Sequence, residues 1–334
     1  VVLGVVALAA TGCAADSSSD AGGAGGKKQV RVAFFNPIAA NPVSTANYEG
    51  VKDEAAKQGA KVTAFDAGFD QAKQISQMQD AIASGQYDAF IVMPVNGAAL
   101  VDVTEQAIDA GIKVVADWNN IGPDLATIEP QVKGLTSVVA QGFADQGTNI
   151  GDQIVAACGS ADPCNAVYMP GSFNQGSEKV RMDALTAVTD QHPSVKMNIS
   201  ADGGFQAGPA QAAASDVLLA VDDVQVFATP GDQMALGIIQ AVDEADLSDQ
   251  VKVISAGTSE KTVQLVRDGK LFADVVTLPY SEGVYSTRYA IQAVRGEDVP
   301  ASLDSLSLSP IGPVADAETL GTPEGQEFKG EFAG

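Results

Sequence analysis

The sequence predicts an α/β protein built of two doubly wound parallel-sheet lobes, one following the other. Three observations carry this. Short apolar, β-branched runs alternate with amphipathic stretches in units of roughly 25–30 residues, glycines punctuate the ends of the amphipathic stretches, and the whole alternation occurs twice.

In the first set, VRVAFF at 30–35, KVTAFD at 61–66, YDAFIVMP at 87–94 and IKVVAD at 112–117 read as buried parallel strands. Helical stretches near 44–58, 71–84 and 98–110 lie between them. Gly59, Gly85 and Gly111 follow these stretches, where a left-handed cap needs a residue without Cβ. The second set comprises NAVYMP at 165–170, the strand at 195–199, VQVFAT at 224–229, VKVISA at 251–256 and FADVVT at 272–277. Helices are expected near 143–157, 176–190, 209–220, 231–245 and 259–268. A last helix near 281–295 and a loose tail from Asp298 are expected to return to the first lobe.

The N-terminus carries a different signal. Val1 to Ala10 reads VVLGVVALAA and leads into Thr11-Gly12-Cys13. An apolar run this short suits the core of a secretion signal rather than a membrane span, which needs roughly 20 residues. Small residues ahead of Cys13 resemble a bacterial lipobox, which implies cleavage before Cys13 and lipid on its sulfur. The alternative is an ordinary secretory signal with a chance cysteine. AADSSSDAGGAGGKK after it has nothing to bury and reads as a tether with a reach of roughly 20–23 Å. The other two cysteines, Cys158 and Cys164, are expected to form one disulfide in an exported protein. Two cysteines without a nearby histidine do not make a zinc site.

A formal charge of −23 opposes nucleic-acid binding. The sole histidine, His192, precedes Pro193 in a helix-to-strand loop, which weighs against His-dependent catalysis and against a histidine metal site. With no nucleophile–base pair, metal cluster or phosphate loop in view, the chain reads as a binding protein without cofactor, not an enzyme.

Open parallel sheets bind ligands beyond the carboxyl ends of their strands. The residues there are rich in amides, hydroxyls and aromatics and poor in cations, a lining suited to a neutral polyhydroxylated solute. Asp117 ends a buried strand, so it must be paired or touch something polar. Trp118, the only tryptophan, offers a flat face for sugar C–H groups and an N–H donor. Asn36, Phe173, Asn174, Thr277 and Tyr280 are further candidates. Asp232 is weighed between ligand contact and capping of the following helix.

From about Val30 to Pro279 the chain resembles the type I periplasmic binding proteins of sugar importers, the ribose- and galactose-binding group. The resemblance rests on Asn41-Pro42 followed by Gly50 in YEGVKDEAAKQG, VVADW around Asp117, GDQMALG beginning at Gly231, and DGKL at 268–271 followed by Leu278-Pro279. It implies two lobes joined by a three-segment hinge: 29–141 plus about 278–306, and 142–277 plus about 307–322. It implies ligand contacts from Asn41, Asp117, Arg181 and Phe205. Arg181 pairing with Glu178 or Asp183, and Asn41 shaping a turn, are the alternatives. The departures are Val43 where an aromatic is usual, Trp118 in place of an arginine, Gly231 in place of an asparagine and Thr277 in place of a glutamine. Ribose itself is therefore doubtful, and another sugar or a polyol is expected. The implied protein is a monomer, anchored through Cys13 to the outer face of the cytoplasmic membrane, delivering its ligand to an ABC permease. The second reading is a sensory protein that presents the ligand to a membrane receptor kinase.

Overall fold

The computed structural model describes residues 1, 2 and 29–334. Cys13 and the tether lie outside the described residues. The chain forms two six-stranded sheets, each flanked by helices on both faces.

The first sheet contains β1 (Arg31–Asn36), β2 (Lys61–Asp66), β3 (Ala89–Val92), β4 (Lys113–Asp117) and β5 (Ser137–Ala140). The helices α1 (Pro42–Lys57), α2 (Gln71–Ser84) and α3 (Val101–Asp109) connect the first four strands. The second sheet contains β6 (Cys164–Tyr168), β7 (Val195–Ile199), β8 (Val224–Ala228), β9 (Lys252–Gly257) and β10 (Ala273–Val276). Around it run α4 (Phe143–Cys158), α5 (Gly176–Thr189), α6 (Ala207–Ala220), α7 (Asp232–Glu244) and α8 (Glu260–Arg267). Then α9 (Pro279–Val294) packs back on the first sheet, and two short strands, β11 (Ser302–Asp304) and β12 (Val314–Asp316), complete one edge of each sheet. A short helix, α10 (Pro323–Glu327), opens the C-terminal tail.

The strand orders are β11-β5-β4-β3-β1-β2 and β12-β10-β9-β8-β6-β7, the same winding in both lobes. All pairings are parallel except β10–β12. The apolar runs become central strands because both faces are covered: β3, β5 and β10 are buried along their whole length. Tight helix pairs complete the cores. Gly50 on α1 and Gly283 on α9 mark one such crossing. A Cβ on Gly50 would sit 2.1 Å from the Tyr280 carbonyl oxygen, and one on Gly283 would sit 2.1 Å from that of Asn47.

The chain passes between lobes three times, each time from the carboxyl end of a strand. Residues 141–142 lead from β5 to α4, 277–278 lead from β10 to α9, and 305–313 lead from β11 to β12. The carboxyl ends of both sheets therefore face each other across these segments. The tail rests on the second lobe: Arg267 donates to the carbonyls of Gly325 and Phe328, and the Glu260 N–H donates to Phe332 O. Its Glu331 accepts from the N–H and hydroxyl of Ser281, in the first turn of α9.

Cys158 and Cys164 are bonded, with Cα atoms 5.7 Å apart and six residues of separation, tying the end of α4 to the start of β6. So short a loop gives a modest constraint on the unfolded chain, about 2 kcal/mol. A Cys158→Ala/Cys164→Ala protein should be destabilised by about that much, measured by urea titration. Equal midpoints for parent and variant would refute it.

Candidate functional site

The gap between the two carboxyl edges is where the chain places its backbone strain. Six described residues other than glycine have positive φ. Four of them, Phe69, Trp118, Phe205 and Thr258, come just after β2, β4, β7 and β9 at these edges. Such conformations cost roughly 1–3 kcal/mol each and persist where the surrounding structure over-determines them. Trp118 keeps its N–H on Val139 O at 2.9 Å while φ turns to +66°. Its indole, half-buried, packs against the first lobe's core. Phe205, at φ +53°, lays its ring on Gly171 in the second lobe, where an added Cβ would fall 2.0 Å from the ring. Each lobe thus places one strained aromatic in a loop past its strand ends, packed against that lobe's core, and the two lobes approach each other nearby. A Cβ on Gly176, at the start of α5, would lie 3.2 Å from Leu125 Cδ1 in the β4–β5 loop.

Asp117 lies at the end of β4 with no exposed surface. Its Oδ1 accepts from Asn47 Nδ2 at 3.1 Å. Ser286 of α9 lies beside it, and Glu282, one turn earlier on the same helix, is 1% exposed. Burial raises the Asp117 carboxyl to about 7, against the pull of the Asn47 and Ser286 hydrogen bonds. Burial, with the charge of Asp117 next, holds Glu282 well above the usual carboxylate range.

The other expected residues divide between the gap and structural duties. Asn41 caps α1, its Oδ1 accepting from Val43 N at 2.9 Å and Ser44 N at 3.4 Å. Asn36 is buried and turns the chain by accepting from Ile38 N. Arg181 is buried against Glu178, donates to Gln146 Oε1 at 2.6 Å and stacks over Phe143. Glu178 in turn accepts the Gly171 N–H at 2.5 Å. Phe173 is 53% exposed in the loop after β6, and the Asn174 N–H donates to Ser172 Oγ. The Thr277 hydroxyl donates to Gly257 O, and the Tyr280 hydroxyl donates to Asp53 on α1 at 3.0 Å.

Asp232 corrects the capping expectation. It is the first residue of α7, and no side chain caps that helix. Its carboxylate reaches across to β9 and α8 instead, accepting from Ser255 Oγ, Ser259 N and Thr262 Oγ1 at 2.6–2.8 Å. Gly257 makes this possible, since a Cβ there would fall 2.3 Å from Asp232 Oδ1. Contact with neighbouring strand ends outweighs the local cap because three buried donors converge there.

Two like sheets are joined by three crossings, and residues 32–298 match the periplasmic binding protein domain. The chain belongs to the periplasmic binding protein family. It is 24% identical over 285 residues to the ribose import binding protein of Bacillus subtilis, covering 84% of this chain and 87% of that protein. Its fold is similar to that of an ABC transporter solute-binding protein from Mycobacterium smegmatis with bound glycerol. That likeness has a TM-score of 0.76 at 24% identity, over 92% of this chain and 99% of the other. A solute-binding protein from Bacillus halodurans with bound myo-inositol gives a TM-score of 0.73 at 22% identity, over 82% and 92%. The two-lobed parallel-sheet layout is that of the family's type I members. Among the described residues no helix is long and apolar enough to cross a membrane.

Two buried residues beside Asp117 escape sequence reading. Glu282 sits in YSEGVY, a helical start with nothing to mark it as buried, and its partner Ser305 is 23 residues away. Asn47 lies on the face of α1 that α9 covers, and only the return of α9 reveals it. The raised Asp117 carboxyl has a stability consequence. A raised folded value contributes stability that is complete below the free value of 3.8 and is lost as pH rises through about 7. Asp117→Asn should therefore raise the thermal midpoint of the empty protein by a few degrees at about pH 8 and not at about pH 4. Equal shifts at both values would contradict this sign.

Proposed function

We infer that this protein captures a small polyhydroxylated solute, a sugar or sugar alcohol, between its lobes and delivers it to an ABC importer. The observation that supports the reading best is a strained aromatic past the strand ends of each lobe, Trp118 directly after buried Asp117 in the first and Phe205 in the second. Flat apolar faces suit sugar C–H surfaces, and a carboxylate accepts from adjacent hydroxyls. The named ligands of similar proteins, ribose, glycerol and myo-inositol, are of this chemical class.

Solute touching both lobes favours the closed form, since it makes more contacts there. The 29–141 plus 278–306 lobe and the 142–277 plus 307–322 lobe turn about the three crossings. Asp117, Trp118 and Phe205 contact the solute, whereas Asn41 and Arg181 hold the walls in place. The lipobox-like ATGC supports export and attachment through lipid on Cys13. Titration of the purified protein with sugars and polyols, read by the fluorescence of its one tryptophan, tests the reading. A saturable change is expected with at least one. No fluorescence change and no thermal shift across the panel would defeat it.

A further inference from the structure

Adjacent residues of the C-terminal tail cap two helices that belong to different lobes. In the second lobe, Phe332 O accepts the Glu260 N–H at 2.8 Å, at the first residue of α8. In the first lobe, Glu331 accepts from the Ser281 N–H at 3.0 Å and from its hydroxyl at 2.5 Å, in the first turn of α9. Leu278 precedes α9 and offers that end no side-chain acceptor. First-turn N–H groups need partners from outside the helix and favour negative charge. A carboxylate arriving from 50 residues away answers both needs.

Each end of this connection is anchored. Phe328 and Phe332 are buried, and Phe328 belongs to the second lobe's core. Gly330 lies so close to the turn between β9 and α8 that a Cβ would meet Thr258 O, Ser259 C and Glu260 N at 2.3 Å. The same turn grips the 277–278 crossing: the Thr277 N–H donates to Thr258 Oγ1 at 3.2 Å, and its hydroxyl donates to Gly257 O at 2.5 Å. Ser281 goes with the first lobe, because Tyr280 beside it donates to Asp53 of α1 and its carbonyl lies against Gly50. Successive Cα atoms are about 3.8 Å apart, so Glu331 and Phe332 hold the starts of α8 and α9 close together. The lobes approach each other in this arrangement, with Leu125 Cδ1 only 3.2 Å from where a Cβ on Gly176 would lie.

We propose that residues 328–334 form a hinge strap, in which Glu331 clips the start of α9 to the second lobe and favours the arrangement with the lobes close together. The strap takes its purpose from the capture reading above: a bias toward the closed form leaves less of the closure to be driven by the solute. The three crossings are covalent and persist through any rotation of the lobes. The clip is a pair of hydrogen bonds, which rotation about residues 277–278 can make and break.

The test is pulsed dipolar spectroscopy on the full chain without solute. Spin labels are placed at Ala72→Cys and Ala201→Cys in Cys13→Ser protein. Both sites are exposed and follow β2 and β7, the sheet edges farthest from the crossings. Glu331→Ala should raise the ratio of long to short label separations roughly 10-fold, the effect of losing hydrogen bonds to a charged group. Gly330→Val, which lifts the tail from the β9–α8 turn, should shift the ratio in the same direction. Glu327→Ala, at the end of α10, should leave it unchanged. An unchanged ratio in Glu331→Ala, or a shift toward short separations, would overturn the strap and leave solute capture intact. A lower melting midpoint with unmoved labels would reduce Glu331 to a helix cap and overturn it equally. Failure of every sugar and polyol to bind the parent protein would defeat the capture reading alone, because the label separations are read without solute.

Discussion

Gly283→Val is expected to lose at least about 4 kcal/mol of stability, lowering the thermal midpoint by roughly 10 °C or preventing folding. Ordinary overpacking costs about 1–3 kcal/mol because side chains can shift. Here the obstacle is backbone: an added Cβ meets Asn47 O at 2.1 Å and Val51 N at 3.1 Å. Only separation of α1 from α9 can relieve it. That separation would also pull Asn47 away from Asp117 and move Glu282 and Ser286, which lie on α9. Circular-dichroism melts of parent and variant provide the check, and midpoints within about 2 °C would show that the helices are not in such close contact.

Arg181→Ala should cost about 3–5 kcal/mol, the usual penalty for stranding one member of a buried ion pair. Glu178 has no exposed surface, and its carboxylate is held between the guanidinium and the Gly171 N–H. Once Arg181 is gone, the charge of Glu178 has no cationic partner in the second lobe. The compensating variant separates this from a role in solute contact. Glu178→Gln/Arg181→Met removes both charges and keeps the volume, so it should recover most of the loss in a urea titration. A single variant as stable as the parent would mean that the pair is solvated. A double variant as unstable as the single one would place the cost in packing against Phe143.

Much of the fold was legible because its strands are buried on both faces. VRVAFF, YDAFIVMP and VQVFAT are mostly apolar along their length, and Gly85 closes the helix before YDAFIVMP. What escaped was short or on an edge. β5 has four residues after a long irregular loop, and β11 and β12 have three each. Segments of that length carry no periodicity, and they become strands only because a neighbouring edge is available to pair with. The gap was partly legible. Asp117 stands out as a charge ending an apolar run, and Trp118 as the sole indole. The same one-dimensional reading could not place Glu282, whose surroundings are assembled from β4, α1 and the segment after β11. The pairing of Arg181 with Glu178, weighed from the sequence against ligand contact, is what the structure shows, and its spacing of three puts the two on one helical face. Asp232 shows the same limit as Glu282, because its three donors come from residues 23 to 30 positions away.

Strand direction has a last consequence. β1 runs toward the gap, so Gln29 and Val30 lie at the opposite pole of the first lobe. If the proposed lipid anchor at Cys13 is present, it would tug on the end farthest from the mouth. The whole body could then swivel above the bilayer without the leash crossing the opening, and present its mouth to a membrane partner from a range of angles.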